Sequence, residues 1–184
     1  MRERRSPRVL VVDDQLSMAE TLADGLGDRG FEATPLASAT EAARRLEDGS
    51  FDALVTDLRM PELDGFALLA ASRRSDPLRP VFVMTAYGAI DSAIECIRQG
   101  AHHYLTKPFK TEELALFLAR AVDEARVRRE AEALRRTLDD RYGLDNIVGR
   151  SEAMARVFDL VARTADTAAP LLLLGETGTG KGLV

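Results

Sequence analysis

The chain has 184 residues, 46% of them hydrophobic and 30% charged, enough for one full globular domain and part of another. Its formal net charge of -5 excludes an electrostatic footprint for nucleic acid along this stretch. The single cysteine, Cys96, excludes an internal disulfide and agrees with a reducing, cytoplasmic setting, and no apolar run reaches the ~20 residues that span a bilayer. Residues 1–7 hold Arg2, Arg4 and Arg5 ahead of Ser6 and Pro7, without the apolar core or cleavage site of a signal peptide, and are expected to form a solvated leader. Strand-like runs follow at 8–12, 31–36, 52–56, 80–84 and 102–105, with helical spacing at 16–28, 39–48, 65–74 and 89–99. That alternation predicts a parallel sheet with helices on both faces. Gly30 and Gly100 read as helix stops, Ser38 or Thr40 as a cap, and Pro61 and Gly65 bracket a loop.

From Thr111 to about Tyr142 a long helix is expected, free of Gly and Pro. Leu114, Phe117, Leu118, Ala121 and Val122 form a face that covers the sheet. Beyond Arg126 the helix is expected to project, with Val127, Ala131, Leu134 and Leu138 at the 4-3-4 spacing of a coiled-coil seam. We read it as a dimerising helix, since a lone one would leave that seam wet. Gly143 ends it, residues 144–150 link, and Glu152 to about Ala165 forms a short helix. Pro170 then leads into a buried strand, Leu171 to Leu174.

The chemistry lies in the strand ends. Asp13 and Asp14 end the first run, Asp57 the third, Thr85 follows the fourth and Lys107 the fifth. In a doubly wound sheet of order 2-1-3-4-5, ligands sit outside the carboxyl ends of the strands where the order reverses, which gathers these residues. Packed carboxylates repel unless a cation sits among them, and oxygen-only donors favour a hard ion, Mg2+ above others. A carboxylate beside magnesium and a lysine is suited to accept a phosphoryl group. Thr85 could instead cap the following helix, and Tyr104 could simply pack against the last one. His102 and His103 are adjacent and point to opposite sides of a strand, which argues against a metal pair. Met60 and Phe66 read as packing near the site. A flavin-binding flavodoxin-like protein is a third reading, disfavoured because Asp13 and Asp14 would repel the flavin phosphate.

The text Val11-Val12-Asp13-Asp14, then Asp57-Leu58-Arg59-Met60-Pro61-Glu62-Leu63-Asp64-Gly65, Met84-Thr85-Ala86 and Lys107-Pro108-Phe109, resembles the receiver domain of bacterial response regulators. The resemblance implies a flavodoxin-like fold and phosphorylation of Asp57 by a sensor histidine kinase. It implies magnesium on Asp13, Asp14, Asp57 and the backbone carbonyl of Arg59, with Lys107 and Thr85 contacting the phosphoryl group. It further implies a cis Lys107–Pro108 peptide and a switch in which Tyr104 turns inward as Thr85 moves.

A second motif, Gly175-Glu176-Thr177-Gly178-Thr179-Gly180-Lys181, fits the phosphate loop G-x-x-x-x-G-K, whose backbone N–H groups cradle phosphates. With Ile147-Val148-Gly149-Arg150-Ser151 it resembles the opening of the AAA+ domain of sigma-54-dependent activators, the NtrC-like group, where Thr85-Ala86-Tyr87-Gly88 is also typical. Gly182 departs from the Ser or Thr of the general pattern and from the Glu usual in this group. The loop is therefore expected to be incomplete, with ATP bound only in an intact AAA+ domain. These readings divide the chain into a leader (1–7), a receiver (8–120), a dimerising linker (121–142) and a partial AAA+ segment (143–184). The expected role is a phosphoacceptor signalling module, not an enzyme, forming a homodimer through the linker. Sigma-54 RNA polymerase and DNA are engaged only in the intact protein, and no membrane is involved. The competing reading is a nucleotide-binding ATPase fragment whose loop binds ATP.

Overall fold

Five short apolar runs pair as one parallel sheet in the computed structural model, which describes residues 5–61, 63–86, 90–142, 151–164, 172 and 174–176. In chain order the first unit runs β1 (Arg8–Val12), α1 (Leu16–Gly27), β2 (Glu32–Leu36), α2 (Ala39–Glu47), β3 (Ala53–Asp57) and α3 (Gly65–Ser75). It continues with β4 (Val81–Ala86), α4 (Ile90–Arg98), β5 (His103–Lys107) and the start of α5 (Thr111–Tyr142). The spatial order is β2-β1-β3-β4-β5, the flavodoxin-like order that the resemblance implies. The fold is flavodoxin-like.

The central strands β1, β3 and β4 are buried on both faces, which is why they read as continuous apolar runs, whereas the edge strands β2 and β5 are more exposed and mixed. Val9, Val11, Ala53, Val55, Phe82 and Met84 point to the face covered by α1 and α5, where they meet Leu22, Leu26, Leu114 and Leu118. Leu10, Val12, Leu54, Val81 and Val83 point the other way, onto Ala42, Leu46, Leu68, Leu69 and Cys96. This is the period-two geometry of a strand. Each fully buried Leu or Phe contributes about 1.5–3 kcal/mol of transfer free energy.

The punctuation is largely that expected. Gly30 and Gly100 take φ of 88° and 94° just past α1 and α4, a left-handed turn that Gly adopts without strain. Ser38, not Thr40, caps α2, its Oγ accepting from the Glu41 N–H at 3.2 Å. Both β4 and β5 run two residues beyond the expected ends, to Ala86 and Lys107.

The second compact unit, Glu130–Val184, holds the remainder of α5 and α6 (Glu152–Thr164). Of the strand expected at Leu171 to Leu174, Leu172 and Leu174 are described; they are 82% and 83% exposed and neither lies in a strand, as leucines without the rest of their sheet would be. A strand needs a neighbour to take up its N–H and C=O groups, and no described residue pairs there. Residues 143–150 and Thr177 to Lys181 lie outside the described residues, as does Tyr87.

His103 sits edge-on to Phe117 at 4.6 Å between ring centroids, with Phe82 and Tyr104 at 6.0 and 6.1 Å. Burial, then the neighbouring His102, lowers its pKa, while Glu113 opposes. Because the folded chain resists protonating this imidazole, stability is present above the ordinary histidine value of about 6.5 and is lost as pH falls through it. His103→Phe is therefore expected to lose less stability than the parent between pH 7 and pH 5, read as the change in urea midpoint.

Candidate functional site

The register of the sheet brings the strand ends together. Val12 pairs with Thr56, Asp57 with Met84, Thr85 with Thr106 and Ala86 with Lys107. Asp13, Asp14, Asp57, Thr85 and Lys107 therefore share the carboxyl edge, at the point between β1 and β3 where the strand order reverses. One carboxylate oxygen from each of Asp13, Asp14 and Asp57 lies within 4.8 Å of the others. All the donors are hard oxygens, and their burial is graded: Asp13 is buried, Asp57 half-buried and Asp14 exposed. Such a set fits magnesium, with open positions facing solvent.

Lys107 bridges two of these acids. Its Nζ donates to Asp13 Oδ2 at 2.7 Å and lies 3.3 Å from Asp57 Oδ2. Burial disfavours the ammonium, but Asp13 and Asp57 outweigh that and raise its pKa. The reverse holds at Asp57, where burial first, and Asp13 after it, raise the carboxyl above its ordinary value despite Lys107. Asp13 is oriented by the Gln15 N–H on Oδ1 at 3.0 Å, and Asp57 by the Leu58 N–H on Oδ1 at 2.9 Å. The Lys107–Pro108 peptide is cis, as the resemblance implies.

Arg59 stands two residues past Asp57, lining an open cleft of about 480 Å³ with Leu58, Met60, Pro61, Asp64 and Phe66. Thr85 is buried at the end of β4, while Tyr104 is exposed on β5. His102 is exposed and His103 half-buried, with both rings against Phe82. Of the phosphate loop only Gly175 and Glu176 are described, both exposed and irregular; Thr177, Gly178, Thr179, Gly180 and Lys181 lie outside.

Two residues of the receiver motif have supporting roles that the sequence reading does not assign. A Cβ at Gly65 would meet the Asp57 carbonyl oxygen at 2.5 Å and Leu58 Cα at 2.9 Å. The first turn of α3 thus presses on the backbone that carries Asp57, with the Gly65 N–H donating to the Leu58 carbonyl at 2.9 Å. Asp64 caps that helix, its Oδ1 accepting from the Ala67 N–H at 2.9 Å. A D-G pair at a loop-to-helix junction was the available signal.

A doubly wound parallel sheet with this acidic edge is the architecture of a receiver. Residues 9–119 match the response regulator receiver domain, and the chain belongs to that family. Residues 147–184 match the sigma-54 interaction domain. The chain is 34% identical over 176 residues to the DNA-binding transcriptional regulator NtrC of Escherichia coli K12, covering 96% of this chain and 37% of that protein. The crystal structure of NtrX from Brucella abortus in complex with ATP is similar at a TM-score of 0.66 and 30% identity, covering 97% of this chain and 39% of that one. The beryllofluoride-activated NtrC4 receiver domain dimer is similar at 0.60 and 32%, covering 64% of this chain and 98% of that one. The chain thus spans 37–38% of the length of the curated relatives it matches first.

Two outcomes follow from this geometry. Without divalent cations, Asp57→Asn is expected to raise the melting temperature by a few degrees, an order of magnitude set by ~1 kcal/mol in a domain of this size. The ionised carboxyl is disfavoured in the fold, so the gain is present at neutral pH and shrinks as pH falls toward the ordinary Asp value of about 3.9. Gly65→Ala is expected to cost roughly 1–3 kcal/mol in urea denaturation, because backbone and not a flexible side chain stands in the way.

Proposed function

We propose that residues 8–120 form a phosphorylation-controlled receiver whose acceptor is Asp57, within a two-component regulator of the sigma-54-dependent, NtrC-like group. The observation that carries this reading is the convergence of three carboxylates within 4.8 Å, with the Lys107 ammonium 3.3 Å from Asp57. Asp57 Oδ forms a bond to phosphorus as the P–N bond of a phosphorylated sensor histidine kinase breaks, its electron pair returning to the imidazole nitrogen. The product is an acyl phosphate, reactive enough for water to hydrolyse, so the signal is reversible. Asp13, Asp14 and Asp57, with the Arg59 backbone carbonyl, are the residues that would hold magnesium. The ion, when bound, neutralises charge on the transferring group. Lys107 offers a point charge to one phosphoryl oxygen and Thr85 a hydroxyl to another.

The readout we propose is repacking around Thr85 and Tyr104, passed to the long helix. Residues 121–142 would pair two copies of the chain. Residues 143–184 would open an AAA+ domain whose phosphate loop, Gly175 to Lys181, binds ATP when intact, and whose whole protein engages sigma-54 RNA polymerase and DNA. Residues 1–7 are a leader. The setting is cytoplasmic; no helix among the described residues is long and apolar enough to cross a membrane. The match of residues 9–119 favours the receiver over an ATPase fragment as this chain's function.

Incubation with radiolabelled acetyl phosphate tests the reading. Magnesium-dependent labelling is expected in the parent, reduced at least tenfold in Asp57→Asn and slowed in Lys107→Ala. Equal labelling of Asp57→Asn and the parent would refute it.

A further inference from the structure

Helix α5 stays on the first unit one turn further than its apolar face explains. Leu114, Leu118, Ala121, Val122 and Ala125 are buried and recur at helical spacing. The next position in that row is Arg129. Its Nη2 donates to Asp76 Oδ2 at 2.6 Å, and the two side chains are 34% and 25% exposed.

Asp76 is itself held in place. It ends α3, its own N–H donating to the Ser72 carbonyl at 2.9 Å, while its Oδ1 accepts from the Leu78 N–H at 3.0 Å. Beneath it lies Arg79, buried, with Nε on the Phe51 carbonyl at 3.0 Å and Nη1 on Ser75 Oγ at 3.1 Å. Asp76 stabilises the charge of Arg79 and Arg129 opposes it, so one fixed carboxylate serves two guanidinium groups. An exposed ion pair is weak chiefly because both long side chains must be ordered. Here one partner is already ordered.

Val127 stands two residues from both Ala125 and Arg129, about 200° around the helix from each, and is 58% exposed. The same helical row continues to Ala131 and Leu134. We propose that the Asp76–Arg129 pair is a clasp that sets the helical phase in which α5 leaves the receiver, turning Val127 outward to meet a second copy of this chain. The identity of the occupant rests on the dimer reading above; the clasp rests on the ion pair alone.

The test uses the full chain. In a Leu134→Glu background, chosen to be monomeric, amide exchange over residues 126–129 is expected to be about threefold faster in Arg129→Gln and parent-like in Arg129→Lys. Asp76→Asn combined with Arg129→Gln is expected to exchange no faster than the faster single variant. Unchanged exchange in Arg129→Gln, or additive effects in the pair, overturns the clasp. Separately, Val127→Cys is expected to cross-link under copper-phenanthroline oxidation, with at least a twofold lower yield once Arg129→Gln is added. A dimer by sedimentation that does not cross-link overturns the outward placement of Val127. A parent that sediments as a monomer overturns the dimer reading and leaves the exchange result standing.

Discussion

Three carboxylates crowd one edge of a sheet, and one lysine offsets them. Left alone, Asp13 and Asp57 would each raise the cost of ionising the other. Lys107 lies across both, 2.7 Å from Asp13 and 3.3 Å from Asp57. The balance is deliberately incomplete: Asp57 stays above its ordinary pKa although Lys107 is beside it. A group whose ionised form is under-stabilised in the fold is one that a further cation relieves. The stability of the domain and the reactivity of Asp57 are thus set by the same charges.

That edge is rigid because its supports are stiff. Asp57 closes a strand buried on both sides, and α3 begins directly against its carbonyl, with no room for a Cβ at Gly65. The Leu58 N–H donates to the Met84 carbonyl at 2.8 Å as well as facing Asp57 Oδ1, so the neighbour of Asp57 is tied to β4. That bond joins the residue after Asp57 directly to β4, whose last residues are Thr85 and Ala86. Next to it, β5 carries Tyr104 and Lys107 on one five-residue strand.

The opposite edge of the sheet is organised around a different charge. Arg79 is buried, and burial pushes its pKa down, yet its donors reach the Phe51 and Leu46 carbonyls and the hydroxyls of Ser72 and Ser75. Those partners join the end of α2, the approach to β3 and the end of α3. Asp76 then extends this network to Arg129. The long helix is thus fastened at both ends of its contact with the first unit, since near its start Glu112 pairs with Arg29 in the turn that follows α1.

Much of this was legible in the sequence. Apolar runs of four or five residues alternating with amphipathic stretches define strands and helices locally, because both are set by periodicity. The acids and the lysine at the ends of those runs announced the site for the same reason. A cap at the start of α2 and the left-handed glycines are also local properties, whereas His102 and His103 are not the strand neighbours expected on opposite sides, since β5 begins at His103 and both rings lie against Phe82. What the tertiary structure decided was proximity between distant segments. That Gly65 touches the Asp57 carbonyl, that Arg79 is buried and satisfied, and that Arg129 finds Asp76 all depend on chain crossings that no local pattern encodes. The leucines near residue 172 make the same point in reverse. Their apolarity is a property of the sequence, but a buried strand exists only where another strand takes up its backbone hydrogen bonds.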